Sequence, residues 1–249
     1  MARYKIILAY DGTSMAGSQR QAEARTAQSV LETVLCRLGW QGKSILMAGR
    51  TDTGVHAAGQ VATFDLDWKH GTDVLVKALN GNLPYEMSVS SAAEVPGDFH
   101  PRFDARSRRY RYRIYCSPTR DPLRERFAWR QWPEFDLIAL MEAASCLIGT
   151  HDFTAFGTPP RPGSSTVRTV TLANWRNLDD EWTFEVQANA FLYHMVRRLV
   201  FVQVAVGQGK FPARVVAEML AKGHSVVPAG LAAPCGLTLV EVTYPEKSG

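Results

Sequence analysis

Residues 49–68, GRTDTGVHAAGQVATFDLDW, hold the two local patterns from which the fold follows. The stretch 49–59 is punctuated by Gly49, Gly54 and Gly59, which permit backbone conformations other residues resist, and it reads as a loop. Strict alternation then begins. Ala62, Phe64, Leu66 and Trp68 fall on one face and Thr63, Asp65 and Asp67 on the other, the period of a strand with one face buried. A rigid strand fed by a glycine-rich loop is a setting that positions a side chain for work.

Working outward, residues 3–10 predict a strand closed by the turn-like Asp11-Gly12-Thr13. Val30, Leu31, Val34, Leu35 and Leu38 recur at helical spacing and predict a helix over 27–38 ended by Gly39. A short strand at 44–48 runs into the loop, a helix follows at 72–80, and strands follow at 87–95 and 106–116. The proline- and arginine-bearing stretch 118–133 is the natural connector. Beyond it the same grammar recurs loosely. Helices are expected at 136–148, 191–206 and 213–221, and strands at 167–176, 182–187 and 237–242. This is an α+β chain of two similar halves whose sheets join.

The bulk properties narrow the function. A chain of 249 residues with 46 % hydrophobic and 21 % charged residues is a globular average, which sets aside disorder, collagen and coiled coil. The run Ile6-Ile7-Leu8-Ala9 is too short for a signal-peptide core or a membrane span, so a cytoplasmic protein is expected. Cys36, Cys116, Cys146 and Cys235 contain no CxxC pair, and the six histidines include no HExxH, so free thiols and no metal are expected. The net charge of +4 hides a band: ten arginines lie between Arg102 and Arg130 against Asp104, Asp121 and Glu125. Arginine outnumbers lysine 21 to 7, which suits bidentate phosphate recognition and stacking. A polyanion, nucleic acid first, is the expected partner; a solvated arginine-rich surface is the bland alternative.

Three places can carry chemistry. In the loop, Asp52 is flanked by Arg50 and His56; an ordinary turn with Asp52 bonded to its own backbone is the competing reading. Asp52-Thr53-Gly54 also matches the tripeptide of aspartic proteases, which need two carboxylates sharing a proton; this chain has one, and only a dimer supplies the second. In the strand SRRYRYRIYC, 107–116, Tyr110, Tyr112 and Ile114 share one face. Arg109, Arg111 and Arg113 share the other at steps of about 6.8 Å. Rings beside arginines are what unpaired bases stack upon, though tyrosines in the core and arginines in water explain the same pattern. The stretch 191–206 has twelve apolar residues among sixteen, with His194, Arg197, Arg198 and Gln203 the exceptions. Such a helix is buried on nearly all sides, and a buried arginine there calls for a carboxylate partner. Any structural acid would serve; the sharper expectation is that Arg197 meets Asp52.

With these residues assembled, the sequence resembles the TruA family of tRNA pseudouridine synthases over essentially its whole length. Gly49-Arg50-Thr51-Asp52 followed by Gly54-Val55-His56-Ala57 looks like the family's catalytic loop. In order around it stand YDGT at 10–13, NLP at 82–84, FHPRFDA at 99–105, the RRYRYRIY strand, HDFTAF at 151–156 and FLYHMVRRLV at 191–200. The resemblance implies that Asp52 is the catalytic nucleophile and Tyr110 the residue stacking on the target uracil. It implies Arg197 as the partner of Asp52, Arg50 holding the nucleotide out of the stack, and Leu237 beneath the base. It further implies a homodimer without metal or cofactor, acting on uridines 38, 39 and 40 of the tRNA anticodon arm. Two pseudo-symmetric halves, 1–117 with the Asp loop and 118–249 with the arginine helix, would form one catalytic unit. Their mixed, mostly antiparallel sheet would be flanked by helices, with Asp52 at the floor of a basic cleft. Two departures stand out. The family continues YDGT with an aromatic residue and then Gly-Trp-Gln, whereas this chain has Ser14-Met15-Ala16-Gly17-Ser18-Gln19. Phe201 stands where the family often has glycine.

Overall fold

The computed structural model describes residues 1–245 and divides the chain into two compact units. The first runs from Met1 to Arg106 and takes back the chain from Thr238 onward. Its elements are β1 (Ala2–Tyr10), α1 (Ala27–Arg37), β2 (Leu46–Met47), β3 (His56–Leu66), α2 (Thr72–Asn80) and β4 (Met87–Val95). The second unit, Ser107–Leu237, holds β5 (Ser107–Cys116), β6 (Trp129–Gln131), α3 (Leu137–Ser145), β7 (Gly149–Asp152), β8 (Val167–Leu178), β9 (Glu181–Ala188), α4 (Met195–Gly207) and α5 (Val215–Lys222). The chain then returns through β10 (Leu237–Thr243).

In the first unit the strands lie in the order β4, β1, β3, β10, and β2 also pairs with β3. β1 is antiparallel to both β3 and β4, with Tyr4 opposite Phe64 and Ile6 opposite Ala62. β10 joins β3 in parallel, Thr238 opposite His56 and Leu239 opposite Ala57. β1 alternates, with Tyr4, Ile6, Leu8 and Tyr10 buried and their neighbours partly exposed. On β3 the expected alternation holds for Phe64, Asp65 and Leu66 but not for Thr63, which is 2 % exposed; Gln60, ahead of it, is fully enclosed. α1 starts at a capping box in which the Thr26 side chain accepts from the Ser29 amide and the Ser29 hydroxyl takes the Thr26 amide.

In the second unit the order is β5, β9, β8, β7, antiparallel throughout, with the short β6 parallel to β5. The fold is therefore α+β with mixed, mostly antiparallel strands. α3 packs on β8 and α4, and it is capped by Asp136, whose carboxylate accepts the Ile138 and Ala139 amides. Trp175 of β8 donates its indole N–H to the Gln203 carbonyl of α4 at 2.9 Å, both side chains buried.

Several sequence expectations are corrected. The helix read over 191–206 begins only at Met195, because His194 takes a left-handed conformation (φ 65°) that breaks the helical path. His194 is thus the residue that caps the helix rather than part of it. The apolar 191–193 stretch instead bridges to Thr158 through Tyr193. The helix expected over 136–148 ends at Ser145, and the connector 118–133 contains the strand β6. Arg198, 7 % exposed, needs no carboxylate. Its guanidinium donates to the carbonyls of Pro228 (2.8 Å), Gly230 (3.0 Å) and Val227 (2.9 Å) and to the Ser225 hydroxyl (2.5 Å). Phe201, where the family often has glycine, packs over Gly230, and a Cβ on Gly230 would come within 2.3 Å of its ring. Bulk on the helix is matched by its absence on the facing loop.

Candidate active site

The Asp52 loop is held from below by buried polar groups of its own unit. At its start the Gln60 side chain grips Gly49 twice, accepting the Gly49 amide (3.2 Å) and donating to the Gly49 carbonyl (2.9 Å). Thr51, 7 % exposed, is bound at three atoms. Its amide donates to Ser18 Oγ (2.8 Å), its carbonyl accepts the Ser18 amide (3.1 Å), and its hydroxyl shares a bond with Tyr10 Oη (2.8 Å). Tyr10 is fully enclosed, and that burial pushes its phenol upward in pKa. Beyond Asp52, the Val55 amide closes a turn on the Asp52 carbonyl (3.1 Å), and Gly54 reaches the Met15 carbonyl (3.3 Å) from a positive φ of 77° that a side chain would resist. The Gly12 amide donates to His56 Nδ1 (3.1 Å), which also lies 3.1 Å from an Asp11 carboxylate oxygen. Asp52 itself is half-buried and Arg50 exposed. Bonds to buried groups on both sides of Asp52 hold the backbone that carries its carboxylate, the kind of support a positioned acid needs.

The other predicted residues belong to the second unit. Tyr110 is 8 % exposed, with its ring edge-to-face with Phe191 at 5.1 Å between centroids. Arg197 donates from Nε to the Ala232 carbonyl (2.8 Å), and the Ala232 amide returns to the Arg197 carbonyl (3.1 Å). Tyr112, two residues along β5 from Tyr110, donates to the next carbonyl, Ala233 (2.6 Å). Gly236 then lies so close to β5 that a Cβ would meet the Arg113 carbonyl oxygen at 2.6 Å. Arg197 and Tyr112 are therefore both bonded to residues 232–233, and only a small residue at position 236 lets the segment that leads into the buried Leu237 approach β5. Arg50 and Asp52 stand in the first unit.

Sequence reasoning named Tyr10 in YDGT, Ser18 in the departure from the family pattern and Tyr112 on the strand face, but gave none of them a role in holding these segments, and it passed over Gln60, a polar residue among apolar neighbours at the loop's end. The arginine band also differs from its count. Arg111 pairs with Glu185 (2.7 Å), Arg113 with Glu181 (3.5 Å), and Arg124 with Asp180 (2.6 Å) and Glu181 (3.2 Å). Arg120 pairs with Glu125 (2.6 Å), and Arg130 lies 3.8 Å from the same carboxylate. β9 runs antiparallel beside β5 and brings Glu181 and Glu185 against the arginine row, while Glu125 lies within the band itself, so the protein's own acids meet at least these arginines. Among the described residues no group of three or more His, Cys, Asp or Glu is arranged to hold a metal, the four cysteines are free, and no helix is long and apolar enough to cross a membrane.

Comparison with known proteins gives the site its context. The family model described as tRNA pseudouridine synthase matches residues 6–104 and 143–245. A tRNA pseudouridine synthase A of Myxococcus xanthus is 43 % identical over 245 residues, covering 98 % of this chain and 92 % of that one. The protein of the same name from Limosilactobacillus fermentum is 39 % identical over 250 residues, covering 98 % and 96 %. That of Halalkalibacterium halodurans is 41 % identical over 237 residues, covering 94 % and 89 %. Among solved structures, a chain of a Cbf5–Nop10–Gar1 complex aligns with 81 % of this chain and 45 % of that one, at 9 % identity and a TM-score of 0.35, too slight a likeness to weigh. The family's model spans both the Asp52 loop and the arginine helix, and relatives match end to end: this chain belongs to the tRNA pseudouridine synthase family.

Proposed function

We propose that this protein isomerises uridine to pseudouridine in tRNA, at positions 38, 39 and 40 of the anticodon arm, with Asp52 as the nucleophile. It works in the cytoplasm as a homodimer whose two halves act as one catalytic unit, without metal or cofactor. Membership of the family supports the reaction; the observation that carries Asp52 is a carboxylate on a loop whose flanking residues are bonded at Gly49, Thr51 and Gly54 by buried partners.

The reaction breaks the N1–C1′ bond, turns the base and joins C5 to C1′, while the hydrogen on C5 is lost and N1 gains one. The target must leave the stack, at a cost of a few kcal/mol that stacking and phosphate contacts offset. Water must be excluded, since a detached base that escapes leaves an abasic site. Asp52 serves by adding to the sugar or the base, or by taking the 2′ proton, and each route requires it ionised. Arg197 is the proposed partner that keeps it so. Tyr110, a ring already fixed against Phe191, stacks on the uracil; Leu237 closes the apolar side beneath it; Arg50, exposed on the loop, holds the nucleotide out.

The test is conversion of uridine in unmodified tRNA, read by chemical labelling because the product has the mass of uridine. Asp52→Asn should lower the rate by at least about a thousandfold. An Asn variant as active as the wild type overturns the nucleophile assignment. A wild type that binds tRNA with steep salt dependence yet forms no pseudouridine makes the chain a non-catalytic RNA-binding protein.

A further inference from the structure

We infer that Ser18 is a positioning residue for the reaction, through which the buried cluster Tyr10–Ser18–Gln60 aims the Asp52 carboxylate. The inference rests on the reading of Asp52 as nucleophile and adds what sets its direction. Asp52 has one covalent neighbour on each side that can transmit a constraint. On the amino side that neighbour is Thr51, and both of its backbone hydrogen-bonding groups go to one residue: the amide to Ser18 Oγ at 2.8 Å and the carbonyl to the Ser18 amide at 3.1 Å. A residue gripped at N–H and C=O by a single partner has little freedom in the peptide planes on either side of it, and the plane after Thr51 leads into Asp52.

The grip is buried. Ser18 is 1 % exposed and Thr51 7 %, so water cannot replace the bonds when they are lost. It is also braced. The Tyr10 phenol bonds the Thr51 hydroxyl at 2.8 Å, while Gln60 holds Gly49 at both backbone groups. Two close approaches seat the 12–18 segment against the loop with no room for side chains. A Cβ on Gly12 would lie 2.0 Å from the Val55 carbonyl oxygen, and one on Gly17, at φ 86°, 2.7 Å from that of Thr51. Ser18 falls in the stretch where this chain departs from the family's Gly-Trp-Gln pattern. An indole donates but cannot accept, so the acceptor offered to the Thr51 amide is a device of this chain's serine.

Three variants test this at a temperature well below any of their melting points, with rates normalised to folded protein. Ser18→Ala deletes the acceptor and should lower kcat by about tenfold to a hundredfold, the cost of a misplacement near 1 Å, with KM for tRNA changed by less than about twofold. Ser18→Thr keeps a hydroxyl and should recover most of kcat. Tyr10→Phe, which removes only the brace, should lower kcat less than Ser18→Ala, and it carries the test if Ser18→Ala does not fold. A Ser18→Ala enzyme turning over at the wild-type kcat while Asp52→Asn is dead overturns the positioning role and leaves the nucleophile standing. So does a loss that Ser18→Thr fails to rescue while raising KM. Full activity in Asp52→Asn removes the nucleophile, and the positioning role with it.

Discussion

Arg198 offers a perturbation whose size follows from its surroundings. It lies on the first turn of α4, 7 % exposed, and burial pushes its pKa below the usual arginine value. Three carbonyls and one hydroxyl from residues 225–230 answer its charge. Methionine keeps much of the length and volume but brings no donor. Arg198→Met would orphan the Pro228 and Gly230 carbonyls, each worth about 1–3 kcal/mol if it stays dry, while the Val227 carbonyl keeps the Ser225 hydroxyl at 2.7 Å. Against that loss stands relief from burying an ion, which costs several kcal/mol when it enters the interior. The balance is a destabilisation of roughly 1–3 kcal/mol. For a chain of this size that is a fall in Tm of about 2–12 °C. Urea unfolding followed by tryptophan fluorescence measures the loss, and hydrogen exchange over 225–230 locates it. A change below about 0.5 kcal/mol with unaltered exchange would show that the segment is ordered without the guanidinium, and the reasoning would fail.

Two further outcomes are expected. Arg111 is held by Glu185 at 2.7 Å, so Arg111→Gln should change the slope of log K against log salt for tRNA binding by well under the value of about 0.7–0.9 expected for one phosphate contact; a full-sized change means the arginine leaves Glu185 for RNA. Burial pushes the Cys116 thiol up to about 12, against 9.0 for an ordinary thiol. Ionisation therefore favours the unfolded chain as pH rises from about 9 toward 12, and that part of the stability is present below pH 9 and lost above it. Urea unfolding at pH 8 and pH 10 should show a smaller drop for Cys116→Ala than for the wild type, and iodoacetamide at pH 8 should label the exposed Cys36 and spare Cys116; equal drops, or equal labelling, would refute the burial argument.

What could be read in the chain was whatever repeats locally. α2 and β4 match the predicted 72–80 and 87–95 at both ends, since their periodicity stops where the elements stop. β6 and β7, of three and four residues, are too short to display a period, and their pairing with β5 and β8 is what makes them strands. The start of α4 was misplaced because 191–194 continues the apolar pattern while one left-handed residue, His194, ends the helix. The acid on its glycine-flanked loop was visible as well, since glycine spacing and a charged residue are properties of neighbouring positions.

By itself, then, the order of residues was enough for the longer elements, for the resemblance to the family, and for singling out Asp52 as the candidate acid. Only the tertiary structure decided the partners. Ser18 and Thr51 are 33 residues apart, Arg111 and Glu185 are 74 apart, and Arg198 turned to carbonyls 29 to 32 residues downstream instead of to a carboxylate. Periodicity records how often a side chain faces the core. It holds no record of which distant atom will be waiting there, and that atom decides how the arginine band's charge is met and how the Asp52 loop is held.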